Sequence, residues 1–359
     1  MRSLEFGWYL PTHGDTTAYG LAEAQIAGSP ELCERVVAAA EKAGFEYLLI
    51  PVGSTCWEAW ISGAFMAARS AKIRPLIAAR PGYINPVLMA KMISTFDQMS
   101  GGRICINLIA GQNESEVEAE GLRYAKEQRY ALMEEEVSIL KAIWTTPGPV
   151  HFKGKFHTLS GAHVRPRPLQ KPYPKFYLGG GSRQAWEMSA KHSDVHLFWG
   201  DLPAKIAENI GAIRATARAY GRENEIGFGM RLQIICREHE KDAWEAADRL
   251  VRHATDRLKQ ERATLYNHSV ANQRVQQLAR EHGDLLLPHL WTGITKVRPG
   301  AGIAVVGNPA QCADQLQQFI DAGCHSFCLS GYLHDEEAER FGGLVRPILA
   351  ENNRGRLAA

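Results

Sequence analysis

Two histidines stand in short polar segments at opposite ends of the chain, His13 in Leu10-Pro11-Thr12-His13-Gly14-Asp15 and His334 in Ser330-Gly331-Tyr332-Leu333-His334-Asp335. Imidazole is the side chain best poised to move a proton near neutral pH, although a lone histidine is as readily structural. Two arginines add charge that is never lost. Arg231 interrupts the apolar run Gly229-Met230-Arg231-Leu232-Gln233, where a guanidinium requires either a carboxylate partner or a bound anion. Arg298 lies in Val297-Arg298-Pro299-Gly300-Ala301-Gly302, a loop able to close over a ligand or simply to stand in solvent. Gly179-Gly180-Gly181-Ser182 leads into a helical pattern, so its amides offer either a phosphate seat or a tight turn. The spacing is not that of a dinucleotide-binding fingerprint. Cys56 can line a site or pack as a small buried thiol, and Trp199 can wall a flat ligand or fill core. Asn107 breaks the apolar run Ile104–Ile109, where its amide needs partners and can supply them to a heterocycle.

These residues matter together only if the chain brings them to one place. Strand-like runs are predicted near Leu4–Leu10, Tyr47–Pro51, Ile73–Ala79, Ile104–Ala110, Phe176–Gly179, Val195–Trp199, Ile226–Cys236 and Ser326–Ser330. Several are unbroken apolar stretches, as expected of parallel strands covered on both faces. Helices are signalled between them. Ser29-Pro30, Asn85-Pro86 and Asn308-Pro309 each pair a capping side chain with a first-turn proline, and Gly44, Gly101-Gly102 and Gly323 mark the stops. Eight strand–helix units predict an α/β chain closed as a (β/α)8 barrel, whose last strand pairs with its first. Both histidine segments then fall on the C-terminal rim, where such barrels keep their chemistry.

The period is interrupted twice. About 111–174 holds a helix, a hairpin-like piece over Val150–His157 and a proline-rich stretch; about 238–308 holds a charged, Arg- and Gln-rich helical stretch and then the Arg298 loop. Within the latter, 263–283 reads as the most mobile segment, and it and the Arg298 loop are candidates for lids. The whole of 1–359 is read as one barrel domain with insertions after strands four and seven.

Composition narrows the class. The 41 basic and 39 acidic residues nearly cancel, without a basic block, which speaks against nucleic acid as a partner. No run approaches the ~20 apolar residues that span a bilayer, and no secretory leader precedes the first strand, so a cytoplasmic protein is expected. The seven cysteines lack the paired spacing of a metal site or a disulfide framework.

Taken in order, the segments resemble the flavin-dependent, bacterial-luciferase-like superfamily, and within it the alkanesulfonate monooxygenases. The resemblance runs over nearly the whole chain. It is carried by Leu10–Asp15, Cys56 with Glu58-Ala59-Trp60, Ala79-Arg80-Pro81, Asp97–Arg103, Asn107-Leu108, Arg129-Tyr130, Gly179–Ser182, Trp199-Gly200, Arg231, Arg298 with Gly300-Ala301-Gly302, and Leu329–His334. It implies a barrel that takes reduced FMN from a separate NAD(P)H-dependent reductase. Oxygen then forms a peroxyflavin, and an alkanesulfonate is cleaved to aldehyde and sulfite. It further implies a catalytic pocket of His13, Cys56, Trp199, Arg231, Arg298, Tyr332 and His334, and an FMN site of Ala79, Asn107, Lys126, Tyr130, Gly180, Gly181 and Ser182. Relatives of this kind assemble as homodimers or homotetramers. One departure stands out: the family pattern has histidine two residues beyond Arg231, and this chain has Gln233, which cannot transfer a proton at neutral pH. A related oxidation of a sulfone, an amine chelate or an alkane, a deazaflavin-dependent reaction, and a barrel that binds flavin or sulfonate without turnover are the competing readings.

Overall fold

The computed structural model describes residues 2–111, 113–264, 269–298 and 302–357. Eight of its strands form a ring: β1 (Glu5–Tyr9), β2 (Tyr47–Ile50), β3 (Arg74–Ala79), β4 (Cys105–Leu108), β5 (Phe176–Gly179), β6 (Val195–Trp199), β7 (Gly227–Cys236) and β8 (Ser326–Ser330). Each neighbouring pair is parallel, and β8 pairs with β1 through Glu5 opposite Ser326 and Trp8 opposite Leu329. The ring is therefore closed, and the fold is the (β/α)8 barrel that the alternation of runs predicts.

Alternation along the strands decides what lies inside. Tyr9, Tyr47, Leu49, Leu76, Cys105, Tyr177 and Leu197 fill the barrel, whereas Trp8, Leu48, Ile50, Ile77, Ala79 and Leu108 face the helices. Large rings fit in the interior because the neighbouring strand supplies a glycine: a Cβ on Gly7, paired with Tyr47, would stand 2.0 Å from the Tyr47 ring. Toward the N-terminal end the interior is plugged by polar groups. The Tyr177 hydroxyl donates to Glu5, which also receives Arg74 at 3.0 Å.

The helices are α1 (Pro30–Lys42), α2 (Ala59–Ala67), α3 (Pro86–Met99), α4 (Lys126–Thr145), α5 (Arg183–His192), α6 (Pro203–Arg218), α7 (Pro309–Asp321) and α8 (His334–Arg340). The expected caps are in place. Ser29 accepts from Leu32 at 3.1 Å, Asn85 from Val87 at 3.0 Å, and Asn308 with Gln311 forms a reciprocal capping box.

After β4 the chain forms a short helix (Glu114–Ala119), then α4, then an antiparallel pair of Val150–Lys153 with Thr158–Ala162. After β7 come helices at Glu240–Arg252, Asp256–Thr264 and Val270–His282. The segment expected to be mobile thus carries a helix, capped by Ser269 and docked through buried Val275 and Leu278; residues 265–268 lie outside the described ones. Several short strands go unforeseen, among them Gly14–Thr16 paired with Gln25–Ala27 and Leu285–Leu287 paired with Leu290–Trp291. Ala304–Gly307 pairs in parallel with the second half of β7, from Gln233 on, taking over the edge that β6 occupies up to Arg231. Among the described residues no helix is long and apolar enough to cross a membrane.

Candidate active site

The C-terminal ends of the strands open into two adjoining cavities that share Tyr9, Ile109 and Arg298. The first, about 220 Å³, has Leu49 and Leu197 of the barrel interior in its wall. Around them stand Asn107, Lys126, Tyr130, Gly180, Gly181, Ser182, Trp199 and Arg231. The second, about 680 Å³, is lined by His13, Cys56, Arg262, Tyr19 and Tyr332 among others. Residues from every part of the chain meet here.

Tyr9, at the end of β1, marks the junction. The Arg231 guanidinium lies 5.0 Å from the centre of its ring and that of Arg298 lies 5.9 Å from it, so both positive charges reach the same small volume. Each arginine is placed by its own element. Arg231 shares the interior face of β7 with Gln233 and is almost buried. Its Nη1 donates to the carbonyls of Leu232 and Cys328 at 3.0 and 3.2 Å and to Ser330 Oγ at 2.9 Å. The Ser330 hydroxyl in turn donates to Gln233 Oε1 at 2.7 Å. No carboxylate comes within ion-pair distance of Arg231 among the described residues. A buried guanidinium with only neutral partners is the condition under which an anion is drawn in. Arg298 follows a turn at Gly293–Lys296; its N–H donates to Ile294 at 2.8 Å, and the neighbouring Val297 is buried. Pro299, Gly300 and Ala301, the rest of the expected lid, lie outside the described residues.

The glycine run closes the other end of the first cavity. Ser182 caps α5 by accepting from Ala185 at 3.2 Å, so the helix begins at the end of the cavity that Gly179–Ser182 line. Gly180 has φ +143, and a Cβ there would come within 2.9 Å of Ala185 Cβ, so only glycine lets the chain pass. Tyr130 and Lys126, on the first turns of α4, flank it. Helix amides, a hydroxyl and an ammonium form a donor set suited to a phosphate. The apolar wall beyond them, with the Asn107 amide at its edge, suits a flat heterocycle. Asn107 makes no side-chain hydrogen bond to protein among the described residues. The residues present therefore fit FMN. The loop that leads to this wall is tied to α4 by Arg129, which is buried, pairs with both oxygens of Glu114 at 2.8 Å and donates to the carbonyl of Ala110 at 2.6 Å.

In the larger cavity Tyr9, Cys56 and His13 lean toward their neutral forms. Burial pushes the Tyr9 hydroxyl far up despite the two arginines beside it. Burial also raises the Cys56 thiol, against the nearby Thr12 hydroxyl and the charge of Arg298. His13 is pushed down to about 4 by desolvation, then by Arg298 and His334. Its ring is open to the cavity, so water screens part of that effect. Tyr332 donates to or accepts from Tyr19, the hydroxyls 2.7 Å apart.

Two expected site residues are elsewhere. Ala79 points outward into the helix layer and lines a separate small cavity with Met89 and Met133; a residue one step along β3 would have faced inward. His334 is buried behind the wall, its Nδ1 3.0 Å from Asp15 Oδ2 and its N–H donating to the same oxygen at 2.8 Å. Burial would raise the Asp15 carboxyl, but His334 outweighs it and holds the group below its ordinary range. The pair joins the β1 rim to the start of α8; Asp15 lines the larger cavity, and His334 stands behind it. Linings missed by sequence reasoning include Tyr9, Tyr19, Arg262 and the Ser269–Ala271 start of the third inserted helix. None of them carries a motif.

A family profile described as luciferase-like monooxygenase matches residues 4–326. The fold is also similar to solved structures of low identity. A riboflavin lyase, RcaE, with modified FMN and riboflavin, superposes with a TM-score of 0.79 at 17% identity, over 99% of this chain and 93% of that one. EDTA monooxygenase EmoA from Chelativorans sp. BNC1 gives 0.74 at 17%, over 98% and 94%. DmoA from Hyphomicrobium sulfonivorans gives 0.74 at 18%, over 100% and 90%.

Proposed function

The chain belongs to the luciferase-like monooxygenase family, and from that premise we propose that it is a reduced-FMN-dependent monooxygenase that desulfonates an organosulfonate. Asn107 would hold the ring system, and Lys126, Tyr130, Gly180, Gly181 and Ser182 the phosphate. Reduced FMN, when bound, supplies the two electrons that activate O2. The overall reaction balances as alkanesulfonate, O2 and FMNH2 going to aldehyde, bisulfite, FMN and water.

The observation that carries this reading is the meeting of Arg231 and Arg298 over Tyr9 at the junction of the two cavities. A sulfonate is ionised at every physiological pH, and two groups that never deprotonate match it. The Arg231 side chain is already oriented by Ser330 and Gln233, so little ordering is left for substrate to bring about. Trp199, opposite Arg231 across β6 and β7, walls the first cavity and helps exclude water. His13, neutral near pH 7, and Cys56, a protonated thiol, contribute hydrogen bonds rather than charge. A separate NAD(P)H-dependent flavin reductase as supplier of reduced FMN, and assembly as a homodimer or homotetramer, are part of the proposal.

The test is sulfite release in a mixture of the protein, FMN, a flavin reductase, NADH, O2 and linear alkanesulfonates of graded length. Sulfite that depends on both the protein and the reductase is expected. Oxidation of a neutral sulfone or an alkane with no sulfite from any sulfonate replaces this reading with the second one, in which the same site serves another substrate. Tight binding of reduced FMN without turnover of any of them leaves a binding barrel.

A further inference from the structure

The larger cavity holds one charged group that the desulfonation reading leaves idle. Arg262, on the helix Asp256–Thr264, is half-buried in the wall that also carries His13 and Arg298. The other charges of that wall are matched. Asp15 stands against His334, and Glu116 is bound by Arg80 at 2.7 Å and by the Ser54 amide at 2.9 Å. Arg80 is shared between Glu116 and Glu120. Arg262 makes no hydrogen bond or ion pair among the described residues. It lies close enough to His13 that the ring feels its charge as well as that of Arg298. The cavity, at about 680 Å³, is far larger than a sulfonate head with a short alkyl chain requires.

We propose that the substrate is a dianion, an organosulfonate whose carbon chain ends in a second acidic group, with Arg231 and Arg298 on the sulfonate and Arg262 on the distal group. This rests on the desulfonation reading for the identity of the first group. The second group is defined independently by the unmatched charge and the room in front of it. A carboxylate or a second sulfonate meets the requirement, since each presents oxygens that a guanidinium fork can bind in pairs.

Titration calorimetry of the whole protein with butane-1-sulfonate and with 4-sulfobutanoate tests the inference, with sulfite release from both measured in parallel. 4-Sulfobutanoate is expected to bind at least fivefold more tightly. R262A should bring the two affinities within twofold of each other, and R262K, which keeps the charge, should retain most of the difference. Equal affinities in the unmodified protein, or a preference that survives R262A, overturn the dianion inference whether or not sulfite appears. Absence of sulfite from both compounds overturns the desulfonation reading and leaves the binding comparison to decide the dianion by itself.

Discussion

Arg231 is held on one side and open on the other. Its three neutral acceptors fix the guanidinium, and the relay through Ser330 to Gln233 fixes the serine in turn. Removing a buried, charge-assisted contact costs on the order of 2–5 kcal/mol. Arg231→Ala is therefore expected to lower kcat/KM for sulfite release at least ~30-fold, while the dissociation constant for reduced FMN, followed by fluorescence quenching, changes less than threefold. Gln233 gives the relay an acceptor that never titrates. Gln233→His replaces it with one that accepts from Ser330 only when neutral. Protonation puts a second positive charge beside Arg231, where the sulfonate is held, so the variant should show a KM for sulfonate that falls as pH drops below ~6.5. A pH series of the unmodified protein should lack that inflection. Much at this scale was legible: His13, Cys56, Trp199, Arg231, Arg298 and Tyr332 all face the paired cavities. Ala79 was misplaced because face is decided by single-residue register, which no run of apolar residues reveals. Arg262 escaped notice because a helix of mixed charges with no apolar stripe reads as a solvated face.

At the scale of elements, the turn between β5 and α5 is the part most exposed to substitution. Gly180→Ala pushes a methyl against Ala185 in a backbone conformation that disfavours side chains. Calorimetric titration with FMN is expected to show affinity at least tenfold weaker, with the far-ultraviolet circular dichroism unchanged. The contact of α4 with the turn after β3 has its own pH dependence. Glu136 accepts from the Gly82 amide at 3.0 Å, and burial, reinforced by Glu135, pushes its carboxyl up to about 7. A carboxyl raised in the folded state contributes its full stability below its unfolded value and loses it as pH climbs through the folded one. Glu136→Gln keeps the acceptor and removes the charge. It should leave urea stability at pH 4 nearly unchanged and raise it at pH 8 by about 1–3 kcal/mol. A variant equally stable to the parent at pH 8 contradicts this. The caps of α1, α3 and α7 could be read from serine or asparagine before proline, because that chemistry is local. Ala304–Gly307 could not. Four apolar residues before Asn308-Pro309 have no period, and their partner is the far end of β7, over sixty residues earlier in the chain.

The whole molecule makes the site by closing. Tyr9 on the first strand, Arg231 on the seventh and Ser330 on the eighth become neighbours only because β8 pairs with β1 and β7. Closure was legible from eight apolar runs of parallel-strand character; the interior packing that permits it was not, since nothing local announces that Gly7 makes room for the Tyr47 ring. Gly7→Ala should destabilise the fold by about 1–3 kcal/mol in equilibrium urea unfolding, and a neutral result contradicts that packing. One mouth must serve both ligands. A crystal structure of the protein with FMN and an alkanesulfonate tests this most directly. The expected result has the phosphate at Gly180–Ser182 and sulfonate oxygens within hydrogen-bond distance of both Arg231 and Arg298. A sulfonate seated away from the Tyr9 junction, or in contact with neither arginine, contradicts it.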